Sequence, residues 1–359
     1  MGPTSLSERE RRSKPTHIPE IDALRGLAAL LVAAVFHQHY LTGDYRDGLL
    51  DGWPVFTWLH TYGWTLVDLF FVISGFIMCH VYLGEGRRRV ELGAFVNARF
   101  ARLYPLHVVT LLFAAAILTI GIPSGYLHTP PDTSEFVLNL LMLQRSPLAD
   151  GMSFNVPAWS IAIEIYCYAV FYLIARHVSQ HLTVLAVVIV IVGLLATIPE
   201  EPLLRHVARG FCGFFAGALV WRWGRAVPPA VLPLVVVIPP LLIAQVDMVS
   251  RGSFLALTSY SALILLAQRI RFLRGPVFAW LGSRSYSLYL VHAPIYWLGA
   301  LLFFDGQQVD GHTVWPQYLV CLAAILTTSH LSFRYLEEPA RRWLRTRERS
   351  QPVTGPASI

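Results

Sequence analysis

Residues 21–40 read IDALRGLAALLVAAVFHQHY, and this stretch decides between a soluble core helix and one that crosses a bilayer. It is almost entirely apolar over the length needed to cross hydrocarbon. Yet Arg25 stands near its start, and His37 and His39 stand near its end. A plain membrane anchor has no use for the histidines. A soluble core helix would be too polar at both ends.

Working outward, apolar runs of this length recur along nearly the whole chain of 359 residues. The chain is 55% hydrophobic and 14% charged, with a mean hydropathy of +0.53. A soluble domain carries about 25% charged residues. The expected fold is therefore all-α, a polytopic membrane helix bundle of about ten transmembrane helices. A transmembrane barrel would show short alternating segments instead. The spans fall at 20–41, 64–84, 103–122, 158–177, 182–198, 205–222, 228–246, 253–268, 282–303 and 315–337. The run EFVLNLLMLQ at 135–144 is too short to cross and reads as interfacial or re-entrant. No internal repeat of the transporter kind is visible.

Charge gives the orientation. With ten spans and the N-terminus inside, 20 of the 28 Lys and Arg fall in cytoplasmic segments. Five fall in external loops: Arg46, Arg145, Arg205, Arg209 and Arg251. That asymmetry satisfies the positive-inside rule and puts both termini in the cytoplasm of a multi-pass cell-membrane protein. The net charge of +6 then reports topology and contact with anionic lipid, not nucleic acid. Residues 1–17 are expected to form a disordered basic tail, 18–345 the membrane domain, and 346–359 a second disordered tail. The first span is expected to stay as an anchor, because a cleavable signal has a shorter apolar region. Cys79, Cys167, Cys212 and Cys321 fall in spans without metal-ligand spacing and read as buried thiols, so no metal site is expected.

Ionisable residues at membrane depth cost about 2.5–3.5 kcal/mol each on insertion scales, so each needs a partner or a task. Arg25 serves either as an end anchor or as a ligand for an anion. Asp68, in GWTLVDLFFVISGFIM, needs a partner or water, whereas Gly75 in the same run reads as a close-packing position. Arg99 and Arg102 are three residues apart on one helix face before Pro105, and suit phosphate, with lipid headgroups the bland alternative. Ser160, Glu164 and Tyr168 form a stripe at spacings of four, and Ser285, Tyr289 and His292 another at four and three. Arg334 and Glu337 are spaced to pair.

Six motifs in order then resemble a known family: LRGLAALLV…FH, VDLFFVISGFIM, RFARLYP, WSIAIEIYCY, SYSLYLVHAP and FRYLEEPARR. Together they are similar to the acyltransferase-3 family of integral membrane acyltransferases, from about Ile18 to Arg342. Its members modify sugars, lipopolysaccharide, exopolysaccharide and macrolides. Some carry an appended extracytoplasmic hydrolase-like domain, which a chain ending shortly after its last span is expected to lack. The resemblance implies an O-acyltransferase that moves an acyl group, commonly acetyl, from acyl-CoA as co-substrate to a hydroxyl of a carbohydrate-like or secondary-metabolite acceptor.

It implies His37 as general base or transient acyl carrier, with Arg25 among the arginines that hold phosphates or polarise the thioester. Arg25, Arg99, Arg102 and Ser74 are the implied coenzyme-binding residues. Glu164 or Asp68 would orient the imidazole or a basic group. One departure stands out: eleven residues separate Arg25 from His37, where the family has ten. On an ideal helix that turns His37 about 120° from the face of Arg25, while His39 regains it. A single π-bulge would restore His37. Both histidines stay open. The competing functional class is a proton-coupled transporter or flippase relaying protons through Asp68, Glu164, His37 and His292.

Overall fold

A computed structural model describes residues 17–44, 48–50, 52–84, 91–121, 132–199, 201–246, 250–309 and 313–343. Both expected tails, apart from His17, and the run Arg87–Arg89 lie outside the described residues. Among the described residues every regular element is helical. In chain order they are α1 Pro19–Ala34, α2 Pro54–Tyr82, α3 Leu92–Ile120, the short α4 Thr133–Leu140, α5 Val156–His177, α6 Ser179–Ala196, α7 Pro202–Ala226, α8 Pro229–Gln245, α9 Arg251–Ala267, α10 Pro276–Phe304 and α11 Trp315–Trp343. Seven of these (α2, α3, α5, α6, α7, α10 and α11) are long and apolar enough to cross a membrane. The other three expected spans are α8, α9 and the kinked segment that begins with α1. The molecule is a multi-pass helical bundle.

Burial sorts the helices. In the most apolar window of α10, 72% of residues are buried, against 17% in α11, so α10 is central and α11 peripheral. α1 starts with Pro19 in its first turn, followed by Glu20 and Asp22, which suit the positive end of the helix dipole. It lies alongside α10 and parallel to it: Arg25 meets Gly282 and Ser285, and Leu41 meets Gly299. A glycine pair permits the approach. A Cβ added at Gly26 would stand 2.5 Å from the Gly282 nitrogen. The second close pair is α2 with α7. A Cβ at Gly75 would fall 1.7 Å from the Phe214 carbonyl oxygen, so Gly75 is the close-packing position its sequence suggested.

α1 does not run unbroken to the histidines. It ends at Ala34, a 3₁₀ turn covers Phe36–Gln38, and a short helix follows over His39–Thr42. His37 itself has φ −89° and ψ 16°, outside the helical region. The expected π-bulge is therefore replaced by a tighter turn and a kink.

The segment 132–155 packs one side into the protein and leaves Val137, Leu141 and Leu148 exposed. Asp132 caps α4 by accepting the Glu135 N–H at 2.7 Å, and that bond holds its carboxylate below the usual range. The Asn139 carbonyl meets His107 Nε2 of α3 at 2.7 Å. Gln144 Nε2 donates to the Ala158 carbonyl, and Asn155 Nδ2 donates to the Leu290 carbonyl of α10, both at 2.9 Å. These bonds satisfy polar groups of an irregular segment that lipid could not satisfy.

Candidate functional site

One face of α10 organises the interior. Ser285, Tyr289 and His292, the predicted stripe, each meet a different element. Ser285 Oγ accepts from Arg25 Nε at 2.7 Å, Tyr289 OH shares a hydrogen bond with Ser160 Oγ of α5 at 3.0 Å, and His292 Nε2 lies 2.8 Å from His37 Nδ1. These contacts define two polar regions, one around Arg25 and one around His37. They are twelve residues apart, about 18 Å of ideal helix.

At the histidine end, the His37 and His292 rings lie side by side and nearly coplanar, with centroids 4.9 Å apart and 14° between their planes, as the nitrogen contact requires. Tyr40 stacks on His37 at 4.6 Å. The proton positions follow from the partners. His292 Nδ1 lies 3.2 Å from the Leu288 carbonyl, which can only accept, so Nδ1 carries the hydrogen. Its Nε2 then holds a lone pair in the neutral ring and accepts from His37 Nδ1–H. The neutral His37 ring is left with its lone pair on Nε2, the form a general base requires. This assignment comes from the hydrogen-bond network. His39 is also buried; it sits edge-on to His37 at 5.5 Å and lies within electrostatic reach of His60. The kink thus turns His37, not His39, onto the α10 histidine.

At the arginine end, Arg25 Nη2 pairs with Asp22 Oδ1 at 2.8 Å and donates to the Gly282 carbonyl at 3.1 Å. Glu164 accepts from Tyr168 OH at 2.5 Å and, in a still shorter bond, from Ser74 Oγ. Arg25 lies within electrostatic reach of Arg102 and Glu164. Arg102 in turn lies within reach of Tyr168, Glu164, Asp22 and Glu337. The buried Nε of Arg102 has no hydrogen-bond partner among the described residues. Two cations thus share a confined region with three carboxylates, of which Asp22 is paired with Arg25, Glu164 is occupied by two hydroxyl donors and Glu337 is paired with Arg341, so the buried Nε of Arg102 is the donor left for an incoming anion.

The structure revises several expectations. Of the two groups open to Asp68, an imidazole or a basic group, it meets the basic one. It forms a bidentate pair with Arg209, Nη2 to Oδ2 at 2.7 Å and Nε to Oδ1 at 3.2 Å, and Arg209 lies over the Trp64 ring at 4.5 Å. Arg209, expected in an external loop, is a buried residue of α7 and is the partner Asp68 needs. Glu164 belongs to the arginine end. The groups acting electrostatically on His37 are His292 and His39, and neither carboxylate is among them. Ser74 is engaged with Glu164. Arg99 directs Nη1 at Met78 Sδ, 3.6 Å away, and lies over the Tyr168 ring at 5.6 Å, while Arg102 lies within electrostatic reach of the same Tyr168. Glu337 pairs with Arg341 at 3.1 Å and accepts from Ser287, leaving Arg334 over Tyr335. A π turn over Phe333–Glu337 shifts the phase that would have aligned Arg334 with Glu337.

Comparison with known proteins agrees with the motifs. A family model described as an acyltransferase domain matches residues 18–333. The chain is 33% identical over 205 residues to Protein 2 in the picA locus of Rhizobium radiobacter, covering 53% of this chain and 98% of that protein. It is 23% identical over 388 residues to the peptidoglycan O-acetyltransferase OatA of Listeria monocytogenes, covering 93% of this chain and 57% of OatA. It is 30% identical over 168 residues to the acyltransferase MdmB of Streptomyces mycarofaciens, covering 45% of this chain and 40% of MdmB. The chain thus spans just over half the length of the Listeria O-acetyltransferase. No solved structure matches it significantly.

Proposed function

The chain belongs to the acyltransferase-3 family and is an acyltransferase of the membrane, and from that premise we propose that it takes its acyl group, in the simplest case acetyl, from acyl-CoA and delivers it to a hydroxyl of a carbohydrate-like or secondary-metabolite acceptor. The observation that carries this reading is the division of the site along α1. Arg25 and the unpartnered Nε of Arg102 stand at one end, and the lone pair of His37 Nε2 at the other.

In this reading Arg25 and Arg102 receive the phosphates of the coenzyme, since guanidinium groups bind such oxygens through paired, charge-assisted bonds. The flexible pantetheine arm runs along α1 and α10 toward His37. His37 Nε2 removes the proton of the acceptor hydroxyl as its oxygen attacks the thioester carbonyl. The new bond is the ester, the broken bond is the carbon–sulfur bond, and the thiolate leaves and takes up a proton. His292 does not touch substrate. It holds His37 in the tautomer that can accept, a positioning role. The positive-inside asymmetry supports an inner-membrane protein with the arginine end toward the cytoplasm, where acyl-CoA is made.

Mass spectrometry of glycans, glycolipids and secreted metabolites from cells with and without the gene tests the reading. One class of molecule should lose a mass equal to a single acyl group when the gene is removed. Identical acylation in both, with the protein confirmed in wild-type membranes, would contradict it.

A further inference from the structure

A second feature lies on the outer side of the arginine end. The first half of α3 and the second half of α5 flank a lateral cavity of about 430 Å³. Its floor includes Phe95 and Leu103, both buried, and its rim includes Val96, Phe100 and Leu173, all exposed in the isolated chain. Arg99 is the one charged side chain among its lining residues, and Arg102 is not among them.

We propose that this groove holds one acyl chain of an anionic phospholipid, whose phosphate binds Arg99. The groove is apolar and opens sideways through the exposed rim, and in a membrane-spanning chain the material beyond that rim is lipid. Arg99 sets the chemistry of the head. Its buried Nε has no partner among the described residues, and the recorded neighbours of its guanidinium are a thioether and the face of Tyr168. A half-buried guanidinium with a buried, unpaired Nε is matched by an anion with good acceptor oxygens. Tyr172, which packs on Phe95 near the start of α3, puts an amphipathic ring at the end of the groove where headgroups lie. Arg99 itself disfavours the ammonium of a zwitterionic head, and of the further charges that act on Tyr168, Arg102 is offset by Glu164. The two arginines of the RFARLYP motif thereby serve different anions: Arg102 inward, Arg99 toward the bilayer. This inference rests on the membrane-spanning fold and not on the acyl-transfer reading.

Native mass spectrometry of the full chain in detergent, titrated with phosphatidylglycerol or phosphatidylcholine, tests it. The wild type should retain one phosphatidylglycerol in preference to phosphatidylcholine. Arg99→Gln should weaken that retention by about tenfold, the size expected for losing one charge-assisted bond. Ala169→Phe, which fills the groove from α5, should weaken it too, with wild-type thermal stability as the folding control. Equal retention of both lipids, or wild-type retention by Arg99→Gln, would overturn the proposal by showing nonspecific annular lipid. Displacement of phosphatidylglycerol by acyl-CoA, lost in Arg99→Gln, would overturn it in favour of the coenzyme.

Discussion

Replacing His292 with Phe keeps a flat buried ring but removes the nitrogen that accepts from His37 Nδ1 at 2.8 Å. The His37 ring then loses the contact that fixes its tautomer, and its Nδ1–H is left buried without an acceptor. Leaving a buried donor unsatisfied costs about 1–3 kcal/mol. The ring can escape that cost by rotating or changing tautomer, which moves the lone pair away from the acceptor hydroxyl. If the same energy separates the productive ring from the unproductive one, turnover falls by roughly 5- to 150-fold. The loss belongs in kcat, because His292 touches neither substrate. His292→Gln, whose amide oxygen can accept, should recover part of the rate. His37→Ala removes the base itself and should cost about 10²–10⁴-fold. The assay is initial-rate acyl transfer at saturating donor, normalised to folded protein. His292→Phe within twofold of wild type would refute the tautomer argument. So would equal losses in the Phe and Gln variants.

Arg102→Ala should raise the Michaelis constant for acyl-CoA by about ten- to hundredfold, and Arg102→Lys by less, because lysine keeps the charge but not the planar fork; an unchanged constant in both sinks the coenzyme role. Asp68→Asn strands the buried Arg209 cation and should cost about 3–5 kcal/mol of stability, seen as a lower melting temperature, with near-normal turnover per folded molecule. A loss of turnover without loss of stability would return Asp68 to the chemistry. Gly75→Ala should destabilise by about 1–3 kcal/mol in thermal unfolding, since its Cβ meets the α7 backbone and not a movable side chain. The four native cysteines are buried, so a cysteine at Ser179 should be labelled only from the cytoplasmic side and one at Gln308 only from outside; labelling of both from one side contradicts the ten-span topology.

Much of the bundle is legible in the sequence because hydropathy acts locally: each stretch near twenty apolar residues must be helical in lipid, whatever its neighbours. The stripe Ser285, Tyr289, His292 is legible for the same reason, since spacings of three and four define one face of a regular helix. What helical spacing cannot supply is the neighbour. Asp68 visibly needs a partner, but Arg209 lies 141 residues away and sits near enough to a span edge to pass for a loop residue. Arg209 could have been found by asking which arginine inside an apolar run lacked an anion. Arg99 and Arg102 share a face of α3 and both act on Tyr168, but only Arg99 also reaches Met78, a contact that helical spacing does not show. The eleven-residue interval after Arg25 shows that a regular helix fails there, but not whether a bulge or a 3₁₀ turn absorbs the misfit.

The central claim is that acyl-CoA reacts at His37. Its most direct test is the release of free coenzyme thiol from acetyl-CoA by the purified protein in detergent, with no membrane gradient, in the presence of a hydroxyl-rich extract from the source cells. Wild type should release thiol in step with acetylation of the extract, and His37→Ala, inserted and folded to the same extent, should release it no faster than buffer. Equal release by wild type and His37→Ala, or no release by wild type while acylation in cells still depends on the gene, would contradict the account.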